Sequence, residues 1–199
     1  MKLIIIEGTD RTGKDTLCNH LKENADQLIY RHWGFPEGKD NVERIRYQQK
    51  SFKKEFDLYN SISKDEYFSK GDNNYMIWNR SHLGEVVYGT LYRDYDPEKW
   101  VYNLETLYAF DQKPEIYLIW LYADAEFVCA NDDGESFTND VTQKKTEIAL
   151  FEKAFNNSII QHKLKVQVNE GNSYRDRREI TESVTSFIMH QHEVQGSDI

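Results

Sequence analysis

The chain has 199 residues, of which 39% are hydrophobic and 14% aromatic, enough apolar material for a folded core and too much for a disordered polymer. Its 25 basic and 34 acidic residues give a formal net charge of −9, which disfavours tight, nonspecific binding to a nucleic-acid polymer. The two cysteines fit no metal-binding spacing, and no apolar run approaches the roughly 20 residues of a membrane span. No signal peptide is recognisable, so we expect a cytoplasmic protein.

Short apolar runs alternate with helix-like segments along the chain. The first run, Leu3–Ile6, has no polar alternation, which is typical of a strand buried on both faces of a sheet. Further strands are predicted at Leu28–Trp33, Tyr75–Trp78, Ile116–Tyr122 and Leu164–Val168. Helices are predicted at Thr16–Asn24, Asn41–Asn60, Ser81–Gly89, Asp96 to near Gln112, Val141–Ser158 and Glu179–His190.

The alternation of strands and helices predicts parallel strands joined by right-handed crossovers. We therefore expect an α/β fold, a three-layer sandwich in which helices flank a parallel sheet of about five strands. No linker or internal repeat divides the chain, so residues 1–199 are predicted to form one domain. The polar residues Glu193–Ile199 are predicted to be a frayed tail.

A phosphate-binding loop follows the first predicted strand and opens the first helix. Gly8–Thr16 reads Gly-Thr-Asp-Arg-Thr-Gly-Lys-Asp-Thr and matches the P-loop (Walker A) pattern G-x-x-x-x-G-K. Glycines allow backbone N–H groups to curl around phosphate oxygens, the helix N-terminus adds partial positive charge, and Lys14 adds a full charge. This context predicts a P-loop NTPase fold and binding of the ATP phosphates by Gly8, Thr12, Gly13, Lys14, Asp15 and Thr16.

Asp15 stands where P-loops usually carry the Ser or Thr that binds Mg²⁺. A carboxylate can also reach the ion or one of its waters, because Mg²⁺ prefers oxygen ligands. Thr16 is the next hydroxyl, although on an ideal helix it points roughly 100° away from position 15. Asp15 and Thr16 both remain candidate Mg²⁺ ligands.

Four segments, in order, resemble the thymidylate kinase branch of the P-loop nucleoside and nucleotide kinases, and phage-encoded members most of all. They are Glu7–Lys14 (E-G-x-D-x-x-G-K), Phe35-Pro36, Asn79-Arg80-Ser81 (the family's D-R-Y/H/S) and Asp132–Phe137, where the family places a mobile lid. The resemblance covers most of the chain. It implies a lid-like segment near residues 130–145 and a phosphotransferase that uses ATP and Mg²⁺.

The resemblance also implies roles for three charged residues. Asp10 would bind the sugar 3′-hydroxyl of the acceptor. Arg80 would hold the acceptor phosphate, because a guanidinium can fork onto two phosphate oxygens. Arg11 would lie in the same region, either against a phosphate or in solvent.

The sequence departs from the family pattern at two places. Asn79 replaces the aspartate of the D-R motif, and Asp15 is a candidate to compensate for the lost charge from the opposite side of the metal. The lid residues Ala130–Asp140 contain no arginine, so the charge that neutralises the migrating phosphoryl group would come from Arg11 or from Lys144 and Lys145. A solvated helix face is the simpler interpretation of the two lysines.

The acceptor base is expected to lie against aromatic rings, which clamp a flat ligand at low entropic cost. The ring candidates are Phe35, Trp33, Phe52, Phe56 and Tyr88, of which Phe52 and Phe56 fit a core position better. Arg44 or Arg46 could reach the base or a phosphate from the second helix. Glu85 falls on the same helix face as Tyr88.

A loop after the last predicted strand could frame the adenine of ATP. Ligands in α/β sheets lie beyond the carboxyl ends of strands, which places Tyr174 and Arg175 near the purine. A plain connecting loop is the alternative.

The first hypothesis for function is transfer of the γ-phosphoryl group of ATP to a deoxynucleoside monophosphate, dTMP or a 5-modified pyrimidine nucleotide. A second is a hydroxyl acceptor, either a deoxynucleoside with Glu37 as base or a modified base in DNA, although the charge of −9 argues against a polymer. A third is a nucleotide-binding protein with degenerate catalysis. The expected partners are small nucleotides, and the resemblance suggests a homodimer.

Overall fold

The computed structural model describes residues 1–69, 71–109, 115–134 and 136–190. The strands are β1 (Lys2–Glu7), β2 (Gln27–His32), β3 (Asn74–Asn79), β4 (Ile116–Tyr122), β5 (His162–Gln167), β6 (Asn169–Glu170) and β7 (Ser173–Tyr174). The helices are α1 (Lys14–Glu23), α2 (Asn41–Ile62), α3 (Glu66–Ser69), α4 (Leu83–Tyr92), α5 (Glu98–Ala109), α6 (Ala125–Ala130), α7 (Val141–Asn157) and α8 (Arg177–His190).

Five strands form one parallel sheet in the order β2-β3-β1-β4-β5. The central strand β1 pairs with β3 on one side and β4 on the other, with Ile5 opposite both Trp78 and Leu118. Helices join the consecutive parallel strands, as the alternating pattern predicts, and the connections from β1 to β2 and from β3 to β4 each pass over one intervening strand. The expected five-stranded parallel α/β sandwich is confirmed.

The alternation of side chains along β1 explains the three layers. Ile4 and Ile6 pack in a cluster with α1 and α8, whereas Leu3 and Ile5 pack in a second cluster with α2, α4 and α5. Successive side chains of a strand point to opposite faces, so an uninterrupted apolar run requires helices on both faces of the sheet. None of the described helices combines the length and apolar composition needed to cross a membrane.

The short elements are the ones that periodicity did not predict. Helices α3 and α6 and the hairpin β6–β7 are too brief to carry a hydrophobic period. The loop after β5 contains this hairpin, in which Asn169–Glu170 and Ser173–Tyr174 pair as antiparallel strands. The predicted tail Glu193–Ile199 and the predicted helix end near Gln112 lie outside the described residues.

Candidate functional site

The loop between β1 and α1 approaches the sheet closely. At Gly8, φ is +149°, and a Cβ there would lie 2.2 Å from the carbonyl oxygen of Leu121 in β4. Gly13, with φ +80°, precedes α1 in a left-handed conformation that suits glycine. Gly8 is thus required by its contact with a neighbouring strand, and it lines neither of the clefts described below.

Lys14 is folded back over this loop. Its Nζ donates hydrogen bonds to the carbonyl oxygens of Gly8 at 2.9 Å and Thr9 at 2.6 Å, and the side chain is buried. Burial lowers the pKa of Lys14 to about 8, and the nearby Asp10 carboxylate opposes this shift. The lysine therefore carries a positive charge near neutral pH and sits among acceptors that a phosphate could replace.

Two clefts meet at this loop. The phosphate-loop cleft, about 500 Å³, is lined by the loop, the start of α1 and the segment around Tyr174. The aromatic cleft, about 400 Å³, lies between the loop, α2 and α4. The residues that line both clefts are Asp10, Arg11, Asp15 and Arg80.

Both arginines at this junction have a left-handed backbone. Arg11 has φ +65° and Arg80 has φ +68°, which is uncommon for residues other than glycine and occurs preferentially at functional sites. The backbone N–H of Arg80 donates to the carbonyl oxygen of Ile6 at 2.9 Å, and its guanidinium pairs with Asp10 at 3.0 Å. The guanidinium of Arg11 pairs with Asp133. The predicted candidates Asp10, Arg11 and Arg80 are brought together.

Glu7 anchors the segment that follows Arg80. Its buried carboxylate accepts hydrogen bonds from the hydroxyl of Ser81 at 2.5 Å and the backbone N–H of Gly84 at 3.2 Å. Burial raises the pKa of Glu7, and the bond from Ser81 opposes this shift. The start of α4, and with it Arg80, is thereby tied to the end of β1.

Asp15 and Asn79 are direct neighbours. The side-chain amide of Asn79 donates to Asp15 Oδ1 at 2.5 Å and to the hydroxyl of Tyr30 at 3.2 Å. Among the described residues, Asn79 Oδ1 is a buried oxygen without a hydrogen-bond partner. The two side chains touch, and the hypothesis that Asp15 compensates for the charge lost at position 79 stays a prediction.

The oxygen-rich side chains near the phosphate-loop cleft fit Mg²⁺. The Asp15 carboxylate and the Thr16 hydroxyl line the cleft, and both remain candidate ligands. The described residues include no group of three or more His, Cys, Asp or Glu that could hold a metal by themselves. This fits Mg²⁺, which proteins commonly bind through one or two carboxylates together with substrate phosphates.

Aromatic rings form much of the aromatic cleft. Trp33 and Phe52 pack with ring centroids 4.4 Å apart, and Phe35 and Tyr88 also line the cleft. Phe56 belongs to the core, as expected, and Phe52 belongs to both. Neither Arg44 nor Arg46 is among the lining residues. The guanidinium of Arg44 instead lies 4.9 Å from the centroid of the Phe35 ring.

The predicted lid segment turns toward the aromatic cleft. Asp133, Ser136 and Phe137 line it, and the Phe137 ring lies 4.8 Å from Tyr92 and 5.5 Å from Tyr88. The predicted lid segment therefore contributes an aromatic ring and a carboxylate to the wall of the aromatic cleft.

The expected solvated face of the two lysines is wrong for Lys144. Its side chain is 1% exposed and its Nζ lies 2.8 Å from the Glu147 carboxylate, which is buried equally deeply. Tyr88 donates to the same carboxylate at 3.3 Å. Burial raises the pKa of Glu147, and the charge of Lys144 opposes this shift. Lys145 is exposed and pairs with Glu126.

Tyr174 and Arg175 line the phosphate-loop cleft. The hydroxyl of Tyr174 donates to the carbonyl oxygen of Arg11 at 2.9 Å, so the β6–β7 hairpin contacts the loop. The guanidinium of Arg175 donates to the carbonyl oxygen of Gln167 at 3.0 Å. Glu37, the candidate base for a hydroxyl acceptor, is exposed and lines neither cleft.

Sequence reasoning missed several residues that line the clefts. His32 ends β2 directly opposite Asn79, and the rule that ligands bind at the carboxyl ends of strands would have found it. Gln48 and Arg93 of the aromatic cleft carry no local signal and meet the recognised motifs only through packing. Phe137 ends the predicted lid segment, and Arg177 follows the predicted Arg175, but neither was expected to line a cleft.

Comparison with known proteins identifies the fold. No family model matches the chain, and no curated protein matches it in sequence. The structure is similar to that of the YorR protein from Bacillus subtilis in complex with phosphorylated GDP, with a TM-score of 0.60, 16% identity, and coverage of 96% of this chain and 98% of that one. It is also similar to thymidylate kinase from Candida albicans, with a TM-score of 0.55, 16% identity, and coverage of 96% and 92%. The fold is thus a thymidylate kinase-like P-loop fold, as predicted.

Proposed function

We propose that this protein is a nucleotide kinase that transfers the γ-phosphoryl group of ATP to a deoxynucleoside monophosphate, dTMP or a 5-modified pyrimidine nucleotide by preference. The observation that carries the proposal is the junction of the two clefts at Asp10, Arg11, Asp15 and Arg80. A phosphate-binding loop on one side and an aromatic cleft on the other suit a triphosphate donor and a nucleotide acceptor that meet end to end. The fold it shares with thymidylate kinase supports this reading.

The donor would occupy the phosphate-loop cleft. Lys14 would exchange its bonds to the carbonyl oxygens of Gly8 and Thr9 for bonds to the β- and γ-phosphates. Tyr174 and Arg175, at the far wall, would frame the adenine. Mg²⁺, held through Asp15 or Thr16, would neutralise charge on the phosphates.

The acceptor would place its phosphate at Arg80 and its base among the rings of the aromatic cleft. The guanidinium of Arg80 would fork onto two phosphate oxygens, and Asp10 would accept from the sugar 3′-hydroxyl. An oxygen of the acceptor phosphate attacks the γ-phosphorus, one P–O bond forms, and the bond to ADP breaks. No base is required, because the attacking phosphate is already an anion.

The charge that the lid does not supply would come from Arg11. Its guanidinium lines both clefts and is paired with Asp133. Lys144 is unsuited to this role because it is buried against Glu147. Exchange of Asp133 for the migrating phosphoryl group would place Arg11 where charge develops in the transition state.

A hydroxyl acceptor is less well supported. Such a reaction needs a carboxylate base, and Glu37 is exposed outside both clefts. A nucleotide-binding protein with degenerate catalysis remains the alternative outcome of the experiment below.

The test uses γ-labelled ATP and Mg²⁺ with nucleosides, nucleoside monophosphates and DNA as acceptors. Label should move to a deoxynucleoside monophosphate, and Lys14→Met should reduce the rate by about 10²–10³-fold. Transfer to a nucleoside or to DNA would establish the hydroxyl-acceptor function instead. ATP binding without transfer to any acceptor would show a binding protein.

A further inference from the structure

Three buried polar side chains lie in the wall of the aromatic cleft. They are Gln48 of α2, Glu85 of α4 and Arg93 directly after α4, and their exposed fractions are 5%, 3% and 5%. Long polar side chains are seldom buried so completely unless each finds a partner. Their partners show which polar atoms are left for a ligand.

Glu85 fixes the orientation of the Gln48 amide. The Nε2 group of Gln48 donates to Glu85 Oε1 at 3.1 Å. An ionised carboxylate only accepts hydrogen bonds, so the amide nitrogen must face it and the amide oxygen must face away. Within the described part of the chain, this oxygen, Gln48 Oε1, is buried and has no partner.

Glu85 also holds Arg93. The guanidinium of Arg93 donates to Glu85 Oε1 through Nη2, and the hydroxyl of Tyr95 donates to the other carboxylate oxygen at 2.5 Å. The Nε–H of Arg93 is buried without a hydrogen-bond partner among the described residues. The cluster therefore leaves one acceptor, on Gln48, and one donor, on Arg93.

We propose that Gln48, Glu85 and Arg93 select the base of the acceptor by its hydrogen-bonding edge. The edge that fits is a carbonyl oxygen next to a ring N–H, which thymine, uracil and guanine share. The carbonyl oxygen accepts from Arg93, in the way that arginine pairs with guanine O6, and the ring N–H donates to Gln48 Oε1. The inference rests on the proposed function, because it places the acceptor base in the aromatic cleft.

Cytosine and adenine carry the reverse pattern on this edge. Their exocyclic amino group would face the guanidinium, and their bare ring nitrogen would face the amide oxygen, so that two buried protein groups stay unpaired. Each mismatch of this kind lowers affinity by about tenfold to a hundredfold. Glu85 acts as a positioning residue, because it sets the amide orientation and balances the charge of Arg93.

The test compares dTMP, dUMP, dGMP, dCMP and dAMP in equilibrium binding and in kcat/KM. The wild-type protein should favour the first three by about tenfold or more. Gln48→Met keeps the Glu85–Arg93 pair, so it should fold, lower kcat/KM for the favoured group by about tenfold, and leave the KM for ATP unchanged. Glu85→Gln should also reduce the preference for dTMP, dUMP and dGMP. Without the carboxylate, the amide of Gln48 can turn and present its nitrogen instead of its oxygen to the base.

Glu55→Gln is the matched control. Glu55 is a buried carboxylate that accepts from Arg31 at 2.9 Å, and it lines neither cleft, so the preference among bases should not change. Equal or tighter binding of dCMP or dAMP, or an unchanged preference in folded Gln48→Met, would overturn the inference. Phosphoryl transfer to none of the five would instead contradict the proposed function, and the binding preference would still decide the inference.

Discussion

The two arginines of the junction and the neighbouring Lys14 each have a partner within the protein. Lys14 contacts two loop carbonyls, Arg80 contacts Asp10, and Arg11 contacts Asp133. Each partner is an oxygen. Under the proposed function, substrate phosphates would compete with these oxygens, and the charged state of each cation would set how strongly they do so.

The first prediction concerns the pH dependence of ATP binding. The pKa of Lys14 is about 8 in the free protein, so an increase from pH 7 to pH 9 removes its charge, and the affinity for ATP should fall across this window. Equilibrium binding of ATP at several pH values measures the effect. Lys14→Met should bind weakly, with a pH dependence that lacks this step.

The lowered pKa of Lys14 has the opposite effect on stability, which should increase as the pH rises. Between pH values of about 8 and 10.5, the unfolded chain binds a proton at Lys14 that the folded chain has lost, so the Lys14 contribution to the free energy of unfolding rises with pH. Urea unfolding of the wild type and Lys14→Met across this range should show it. If the free energy of unfolding of the wild type did not rise relative to that of Lys14→Met between these pH values, the pKa of Lys14 would not be lowered.

The second prediction concerns the pair Asp15 and Asn79. Asn79→Asp alone would place two carboxylates in contact, where the amide now donates at 2.5 Å, and should lower kcat/KM by about tenfold or more. The exchange Asp15→Ser with Asn79→Asp restores one carboxylate and one uncharged group and should recover most activity. Mg²⁺ titrations of the two variants give the measurement. A double variant no better than Asn79→Asp would show that the two positions do not share one function.

At the level of elements, the lid segment between α6 and α7 contacts the phosphate-binding loop through an ion pair. Asp133→Asn removes the charge that competes with phosphate for Arg11, so ATP should bind several-fold more tightly, by about threefold to tenfold. Isothermal calorimetry with ATP and Mg²⁺ measures this change. Asp57→Asn removes another exposed carboxylate, far from both clefts, and should leave ATP affinity as it is.

The lid also adds an aromatic ring to the cleft. Phe137→Ala removes the ring that packs on Tyr92 and Tyr88, and should raise the KM for the monophosphate by about twofold to tenfold without changing the KM for ATP. Leu107→Ala is the control, because Leu107 is a similarly exposed apolar side chain on α5 that lines neither cleft. An equal effect on the KM values of both substrates would argue against a role confined to the acceptor.

At the level of the whole molecule, α7 contains a buried ion pair, Lys144–Glu147, at the place where the hydroxyl of Tyr88 in α4 donates to it. Lys144→Met leaves the Glu147 carboxylate buried without its counter-charge and should lower the free energy of unfolding by about 3–5 kcal/mol. The double variant with Glu147→Leu should recover most of the loss, because neither charge then remains buried. Urea unfolding measures both. Lys145→Met, at an exposed position, should change the free energy of unfolding little. If Lys145→Met lowered it as much as Lys144→Met does, the buried ion pair would not be the cause of the loss.

The architecture and the phosphate-binding loop were predictable from local patterns. The apolar run at β1, the strand–helix alternation and the Gly8–Thr16 motif are short-range features, and the structure confirms the fold that they predict. The predicted homodimer stays a prediction. The expectation for Lys144 failed because its burial depends on a carboxylate one turn away and on the packing of α7 against α4, which no local pattern records.

The amino-acid sequence was enough to predict a parallel sheet with a P-loop motif at the end of its first strand, because buried-strand periodicity and glycine spacing are properties of contiguous residues. The side chains that face one another around the two clefts became visible only in the folded structure. Gln48, Glu85 and Arg93 come from positions up to 45 residues apart, and Asp133 is 122 residues from Arg11. Such pairs form when separate helices and strands pack around a shared core. Which side chains meet therefore depends on how all of the intervening helices and strands are placed.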